Sequence, residues 1–261
     1  MRAAFLAVCG LLGLTVAASA AGKTDAPRVP DLPGWALVWH DEFEGDRLDA
    51  SKWTAEDAAL EKNNEEEYYS PEAVSVKGGV LTLASLDKPQ GGRKYTSGLV
   101  ETRGKFARVF GRFEVRAKLP KGQGIWPAHW LMPDDNGWPP EIDIMEMLGH
   151  NPRKVYGSNH WDTPQGPRNE VTSFEGPDFS AGWHTFAVEW EPDEIRWYVD
   201  GVLTHRTAKN VPKGPPFRII LNTAVGGNWP RYPDKTTVFP QYHEIDYVRV
   251  WARDNIDLVE A

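Results

Sequence analysis

Glycines and prolines punctuate the strand-like runs of this chain closely. The 24 glycines and 21 prolines leave little room for long helices. Several of those runs alternate apolar and polar residues, the pattern of strands with one buried face. Val80-Leu81-Thr82-Leu83-Ala84 alternates, and Phe113, Val115, Ala117 and Leu119 alternate with Glu114, Arg116 and Lys118. Thr185 to Trp190 and Glu194 to Val199 continue the theme. Asp200-Gly201 then separates Trp197-Tyr198-Val199 from Val202-Leu203-Thr204, a strong signal for a tight hairpin. Phe217 to Leu221 and Glu244 to Trp251 read as further strands, and Ala55 to Lys62 is the one helix-friendly stretch. Many short strands separated by turns predict an all-β sandwich of two antiparallel sheets.

The first residues have a different character. Met1-Arg2 gives a positive start, Ala3 to Ala17 is apolar and uncharged, and Ala18-Ser19-Ala20 offers small residues for cleavage. Residues 1–20 are therefore expected to be a signal peptide. The run is shorter than the ~20 apolar residues of a membrane span. Residues 21–34 are expected to form a lead-in, 35–254 one β-sandwich domain, and 255–261 a tail. The expected location is secreted or periplasmic, with no membrane attachment in the mature form. Cys9, the one cysteine, leaves with the signal, so neither a disulfide nor thiolate chemistry is expected of the remainder. The formal charge of −8 becomes one unit more negative when Arg2 goes. An acidic chain without a basic run is a poor partner for nucleic acid and fits a neutral polymer better than a polyanion.

One acidic segment stands out: Glu141-Ile142-Asp143-Ile144-Met145-Glu146. On a strand, Glu141 and Asp143 share a face while Ile142 and Ile144 anchor the other. Glu146 is an odd five positions from Glu141, and a β-bulge around Met145 would return it to that face. Its carboxyl would then lie about 5 to 6 Å from that of Glu141. Retaining glycosidases hold their nucleophile and acid at such a separation. Three carboxyls this close cannot all ionise freely. The spacing taken alone also admits a hard-cation site or a solvent-exposed acidic face.

Twelve tryptophans accompany this strand. Trp190, Trp197 and Trp251 fall in alternating segments and read as core. Trp126, Trp130, Trp138, Trp161 and Trp229 sit near Gly, Pro or Asn, where flat rings suit the faces of sugars.

Several motifs stand in a consistent order: Trp39-His40-Asp41-Glu42-Phe43, Asn63-Asn64-Glu65 with Tyr68-Tyr69, and Gly124-Ile125-Trp126-Pro127-Ala128-His129-Trp130. Glu141 to Glu146, Leu221 to Gly227 and Asp246 to Trp251 follow. Together they resemble glycoside hydrolase family 16, in its laminarinase-type branch of endo-β-1,3-glucanases. The resemblance runs from Trp35 to Trp251. It implies a β-jelly-roll with a concave substrate cleft and a retaining endo-hydrolase of β-1,3-glucan, with mixed β-1,3/1,4-glucan as a further substrate. A galactan-cleaving or transglycosylating enzyme and a non-catalytic glucan-binding protein are the alternatives. By resemblance Glu141 is the nucleophile, Asp143 its helper and Glu146 the acid/base. Asn64, Glu101, Arg103, Trp126, Trp138, His160, Asn222 and Trp229 fall on substrate-binding positions, while Trp130 is expected to pack. No catalytic cofactor is implied. A structural calcium is, with the carbonyls of Glu42 and Gly79 and the carboxylate of Asp246 as ligands. The polysaccharide is the expected partner, and the enzyme is expected to be a monomer. The chain departs from the usual pattern at Pro139-Pro140 before the nucleophile, at Glu66-Glu67 where an apolar-amide pair is commoner, and at His129.

Overall fold

In a computed structural model, Val29 and residues 31–254 are described; the proposed signal peptide and the 255–261 tail lie outside the described residues. The alternating segments become β-strands. The first seven are β1 (Trp35–Asp41), β2 (Thr54–Ala55), β3 (Glu67–Tyr69), β4 (Val74–Val76), β5 (Leu81–Ser85), β6 (Tyr95–Ser97) and β7 (Leu99–Glu101). Next come β8 (Gly111–Lys118), β9 (Ile125–Pro133), β10 (Glu141–Met147), β11 (Lys154–Trp161) and β12 (Arg168–Glu175). The last are β13 (His184–Trp190), β14 (Ile195–Val199), β15 (Val202–Thr207), β16 (Phe217–Val225) and β17 (Gln241–Arg253).

Two antiparallel sheets result. One runs β15-β14-β13-β8-β17-β5-β4, with β1 also on β17; the other runs β12-β11-β10-β9-β16-β7-β2. A small parallel pair, β3 and β6, stands apart from both. The sandwich expected from the alternation is present. At the β14–β15 hairpin, Asp200 and Gly201 both take positive φ (49° and 76°), which the tight turn requires.

The alternation also fixes the core. Phe113 and Val115 from β8, Val248 and Val250 from β17, Leu131 from β9, Ile142 and Ile144 from β10, and Leu221 from β16 join one buried cluster. Each such side chain contributes about 1.5 to 3 kcal/mol through burial. Buried polar contacts bridge the sheets inside this core, among them a pair of imidazoles. His129 of β9 and His243 of β17 stack at 5.0 Å between ring centroids, with Nε2 to Nε2 at 2.9 Å. Burial drives both imidazoles toward the neutral form, His243 down to about 3, so one ring donates and the other accepts.

The helix-friendly stretch 55–62 is not a helix. Its backbone is claimed by neighbouring chain instead: Glu56 N–H donates to the Leu99 carbonyl, and Ala58 and Tyr69 exchange two bonds. Among the described residues the only helical element is the short 3₁₀ turn Pro71–Ala73, capped by Ser70.

Candidate active site

The register of β10 slips where the acids stand. Asp143 faces Trp130 on β9 and Ser158 on β11, whereas Glu146 faces Ala128 and Tyr156. Three steps along β10 thus match two on each neighbour, which is the expected bulge, here across Ile144 and Met145. Both bulged residues turn into the core, at 4% and 1% exposure. Glu141, Asp143 and Glu146 are consequently all delivered to the opposite face, where they line one cleft.

That cleft has a volume of about 840 Å³, within the range of sites that engulf a ligand. Its walls follow the period-two rule of strands. Trp126, Ala128, Trp130 and Met132 come from β9, and Tyr156, Ser158 and His160 from β11. Asn222 and Ala224 of β16 face the same space, as do Asn169 and Val171 of β12. The residues between them, such as His129 and Leu131, face the core. The cleft is therefore the outer face of the seven-stranded sheet.

Each acid has its own partner. Trp138 Nε1–H donates to Glu141 Oε2 at 3.0 Å, and Trp126 Nε1–H to Glu146 Oε1 at 3.0 Å. His160 Nε2 lies 3.0 Å from Asp143 Oδ2 and 3.6 Å from Glu141 Oε1. Behind the strand, Trp197 Nε1–H donates to the Asp143 carbonyl at 2.8 Å and ties the acidic strand to the other sheet.

Burial and the charge of Asp143 push Glu141 up to about 8, against the opposing pull of His160 and Lys62. Burial, then Asp143 and Glu141, raises Glu146 well above the ordinary carboxyl range. His160 is pulled two ways. Burial disfavours its cation, but the bond to Asp143 and the charges of Asp143 and Glu141 win, and its pKa rises. With Glu141 and Glu146 both raised, one proton is readily kept on a glutamate at neutral pH. An acid beside an ionised nucleophile is what two-carboxylate glycoside chemistry needs.

Not every expected contact residue reaches the cleft. Trp126, Trp138, His160, Asn222 and Trp229 do. Trp229 packs edge-on against Trp126 and Tyr156 at 5.5 and 4.9 Å. Asn64 lies beside it, bonded to Asn228 at 2.8 Å. Glu101 does not line the cleft; it is buried against Arg218, whose Nε–H donates to it at 2.8 Å, and Arg103 pairs with the same carboxylate. Trp130, expected to pack, is on the cleft wall, with the Lys62 ammonium 4.8 Å above its ring. Lys62, Asn63, Glu65 and Tyr156 also line the cleft and were not among the expected contact residues, although Asn63 and Glu65 stand in the Asn63-Asn64-Glu65 motif and alternation along 154–161 places Tyr156 and Ser158 on the face of His160.

The calcium positions lie on the other sheet. Glu42 follows β1, Gly79 sits in the β4–β5 turn, and Asp246 occupies a register shift in β17. Both carboxylate oxygens of Glu42 accept from Arg249 at 2.9 Å, which leaves its carbonyl as the available donor. Asp246 accepts from Arg116 at 2.5 Å. Among the described residues the one cluster of three acidic or imidazole groups able to hold a metal is Glu141, Asp143 and His160. No described helix is long and apolar enough to cross a membrane.

Comparison with known proteins agrees with this geometry. The family model described as "Glycosyl hydrolases family 16" matches residues 48–249. A beta-glucanase of Rhodothermus marinus is 37% identical over 92% of this chain and 92% of its own length. Glucan endo-1,3-beta-glucosidase A1 of Niallia circulans is 35% identical over 86% of this chain, which spans 39% of that longer protein. Among solved structures, the laminarinase catalytic domain of Thermotoga maritima aligns with a TM-score of 0.76 at 41% identity, over 83% of this chain and 98% of that one.

Proposed function

The chain belongs to glycosyl hydrolases family 16 and is a glycoside hydrolase, and from that premise we propose that it cleaves β-1,3-glucan internally with retention of configuration. The observation that carries this reading is the bulged strand, which sets three carboxyls on the floor of an aromatic-walled cleft. Relatives that act on such glucans support the substrate class.

Glu141 attacks the anomeric carbon of a bound sugar while Glu146 gives its proton to the departing glycosidic oxygen. Water then enters, loses a proton to Glu146 and displaces Glu141. Two inversions leave the original configuration. Asp143 and His160 sit beside Glu141 and shift its charge, and Trp138 N–H holds its second oxygen. Trp126 N–H orients Glu146 and stabilises its anion after transfer. The rings of Trp126, Trp130 and Trp229 offer flat apolar surface to the sugars. No step needs a cofactor.

Reducing-sugar release from laminarin, lichenan and agarose tests the substrate. Laminarin is expected to be cut fastest, with lichenan second and no release from agarose. Activity on agarose with none on either glucan contradicts the proposal and favours a galactan.

We extend the proposal to one structural calcium on the carbonyls of Glu42 and Gly79 and the carboxylate of Asp246. An all-oxygen donor set suits that hard cation, although the ion must share Asp246 with Arg116. A chelator is expected to lower the melting temperature more than it lowers activity at moderate temperature. An unchanged melting temperature removes the site.

A further inference from the structure

A second pair of buried carboxyls lies beside the cleft, and the hydrolytic mechanism uses neither. Glu65 and Glu67 are 3% and 1% exposed. Glu67 Oε2 accepts from the Val225 N–H at 2.8 Å, but Oε1 is buried with no hydrogen-bond partner. Glu65 Oε1 accepts from Asn63 Nδ2 at 2.9 Å, and its Oε2 lies 3.5 Å from the Tyr69 hydroxyl. A buried anionic oxygen without a donor is costly, whereas a protonated one can itself donate to the neighbouring carboxylate.

From this pair a one-way chain of hydrogen bonds leads to the cleft wall. Trp130 Nε1–H donates to Asn222 Oδ1 at 2.9 Å, and Asn222 Nδ2–H donates to the Tyr69 oxygen at 2.9 Å. Having accepted there, the Tyr69 hydroxyl donates onward to Glu65. Asn63, Glu65, Trp130 and Asn222 all line the cleft. The direction is set at both ends, by the indole N–H of Trp130, which can only donate, and by the Glu65 oxygen, which accepts.

We propose that Glu65 and Glu67 are a carboxyl pair sharing one proton, and that they hold Asn63 directly and, through Tyr69, Asn222 and Trp130 in the glucan-binding arrangement. Both are positioning residues. The proposal rests on the glucan-hydrolase reading for its substrate and on the hydrogen-bond chain for its mechanism.

Among the described residues no cation pairs with Glu65 or Glu67. The Arg93 guanidinium is committed to the carbonyls of Leu60 and Glu65 and to the Glu61 carboxylate, and Lys94 to Glu66. Lys62 stands over the Trp130 ring. The groups facing Glu67 are Glu65 and Tyr69, and burial together with the Glu65 charge raises the pKa of Glu67. Loss of the shared proton as pH rises therefore places two anions side by side and loosens the end of the chain. KM for glucan is then expected to rise on the alkaline side, independently of the limb in kcat set by Glu146.

Glu67→Gln supplies the discriminating variant. Its amide oxygen can accept from Val225, while its NH₂ replaces the shared proton and cannot be titrated away. The alkaline rise in KM, roughly three- to tenfold for one hydrogen bond's worth, is expected in the wild type and absent in E67Q. Tyr69→Phe cuts the chain and is expected to raise KM by a similar factor at every pH, with the pH limbs of kcat unmoved. Difference infrared spectra, wild type minus E67Q at neutral pH, are expected to show one carboxylic-acid C=O band. A KM profile that E67Q leaves unaltered, a wild-type KM that stays flat across the alkaline range, or a missing acid band each overturns the proposal. The spectrum needs no substrate, and the kinetics can use whichever polysaccharide the enzyme cleaves. Failure on laminarin is thereby separated from failure of the pair.

Discussion

Replacing Glu141 with alanine is expected to lower kcat on laminarin by about 10⁴-fold or more, the scale of losing a nucleophile. Azide is then expected to restore turnover of an activated β-glucoside and to yield the α-glycosyl azide. The reasoning is geometric. The bulge keeps Glu146 on the same cleft face as position 141, so the acid still serves the leaving group after the nucleophile is gone. A small anion can enter the vacated space and attack from the same side, giving a single inversion. Ile142 and Ile144 continue to anchor the strand, so the variant is expected to fold. Near-normal hydrolysis by E141A, or a β-configured azide product, contradicts the assignment of Glu141.

Glu146→Gln carries the second large effect, in opposite directions for rate and stability. Loss of the proton donor is expected to lower kcat by about 10²- to 10⁴-fold and to remove the alkaline limb of the pH profile. In the wild type, the raised Glu141 places the acid limb of kcat/KM above the ordinary carboxyl range. Stability follows from linkage. Glu146 is raised by burial and by the Asp143 and Glu141 charges, so above the unfolded carboxyl pKa of about 4.3 the unfolded state binds fewer protons than the fold. The associated stability is fully present below that pKa and is lost as pH climbs toward the folded value. Glutamine cannot ionise and escapes the loss. The melting temperature of E146Q relative to wild type is thus expected to be near zero at acid pH and to grow toward pH 8, by roughly 2 to 4 °C per kcal/mol. A difference that stays constant with pH contradicts the raised acid.

The sandwich and the catalytic strand were legible in sequence because both rest on period-two alternation. The odd spacing of Glu146 demanded a bulge, and the strand register contains it. Alternation says which face a side chain takes, not what meets it there. Glu101 sits two residues before Arg103, yet Arg218, distant in sequence, captures its carboxylate. Trp130 was expected to pack, but along the strand Ile125 to Pro133 it shares a face with Trp126 and so lines the cleft. The Ala55–Lys62 stretch had helical propensity, but strand partners at Leu99 and Tyr69 offered its backbone better bonds. In sequence Glu65 belonged to the Asn63-Asn64-Glu65 motif and Glu67 to the Glu66-Glu67 departure from the common pattern; that the two act together depends on Tyr69 and Asn222 meeting across the fold.

Retention requires the two carboxylates of one bulged strand to act in turn. Proton NMR of the first sugar ends released from laminarin, read before mutarotation, shows which anomer leaves the enzyme. The β-anomer is expected first, with the α-anomer growing in later at the spontaneous rate. An α-anomer released first would show single displacement by water, and the roles assigned to Glu141 and Glu146 would fall together.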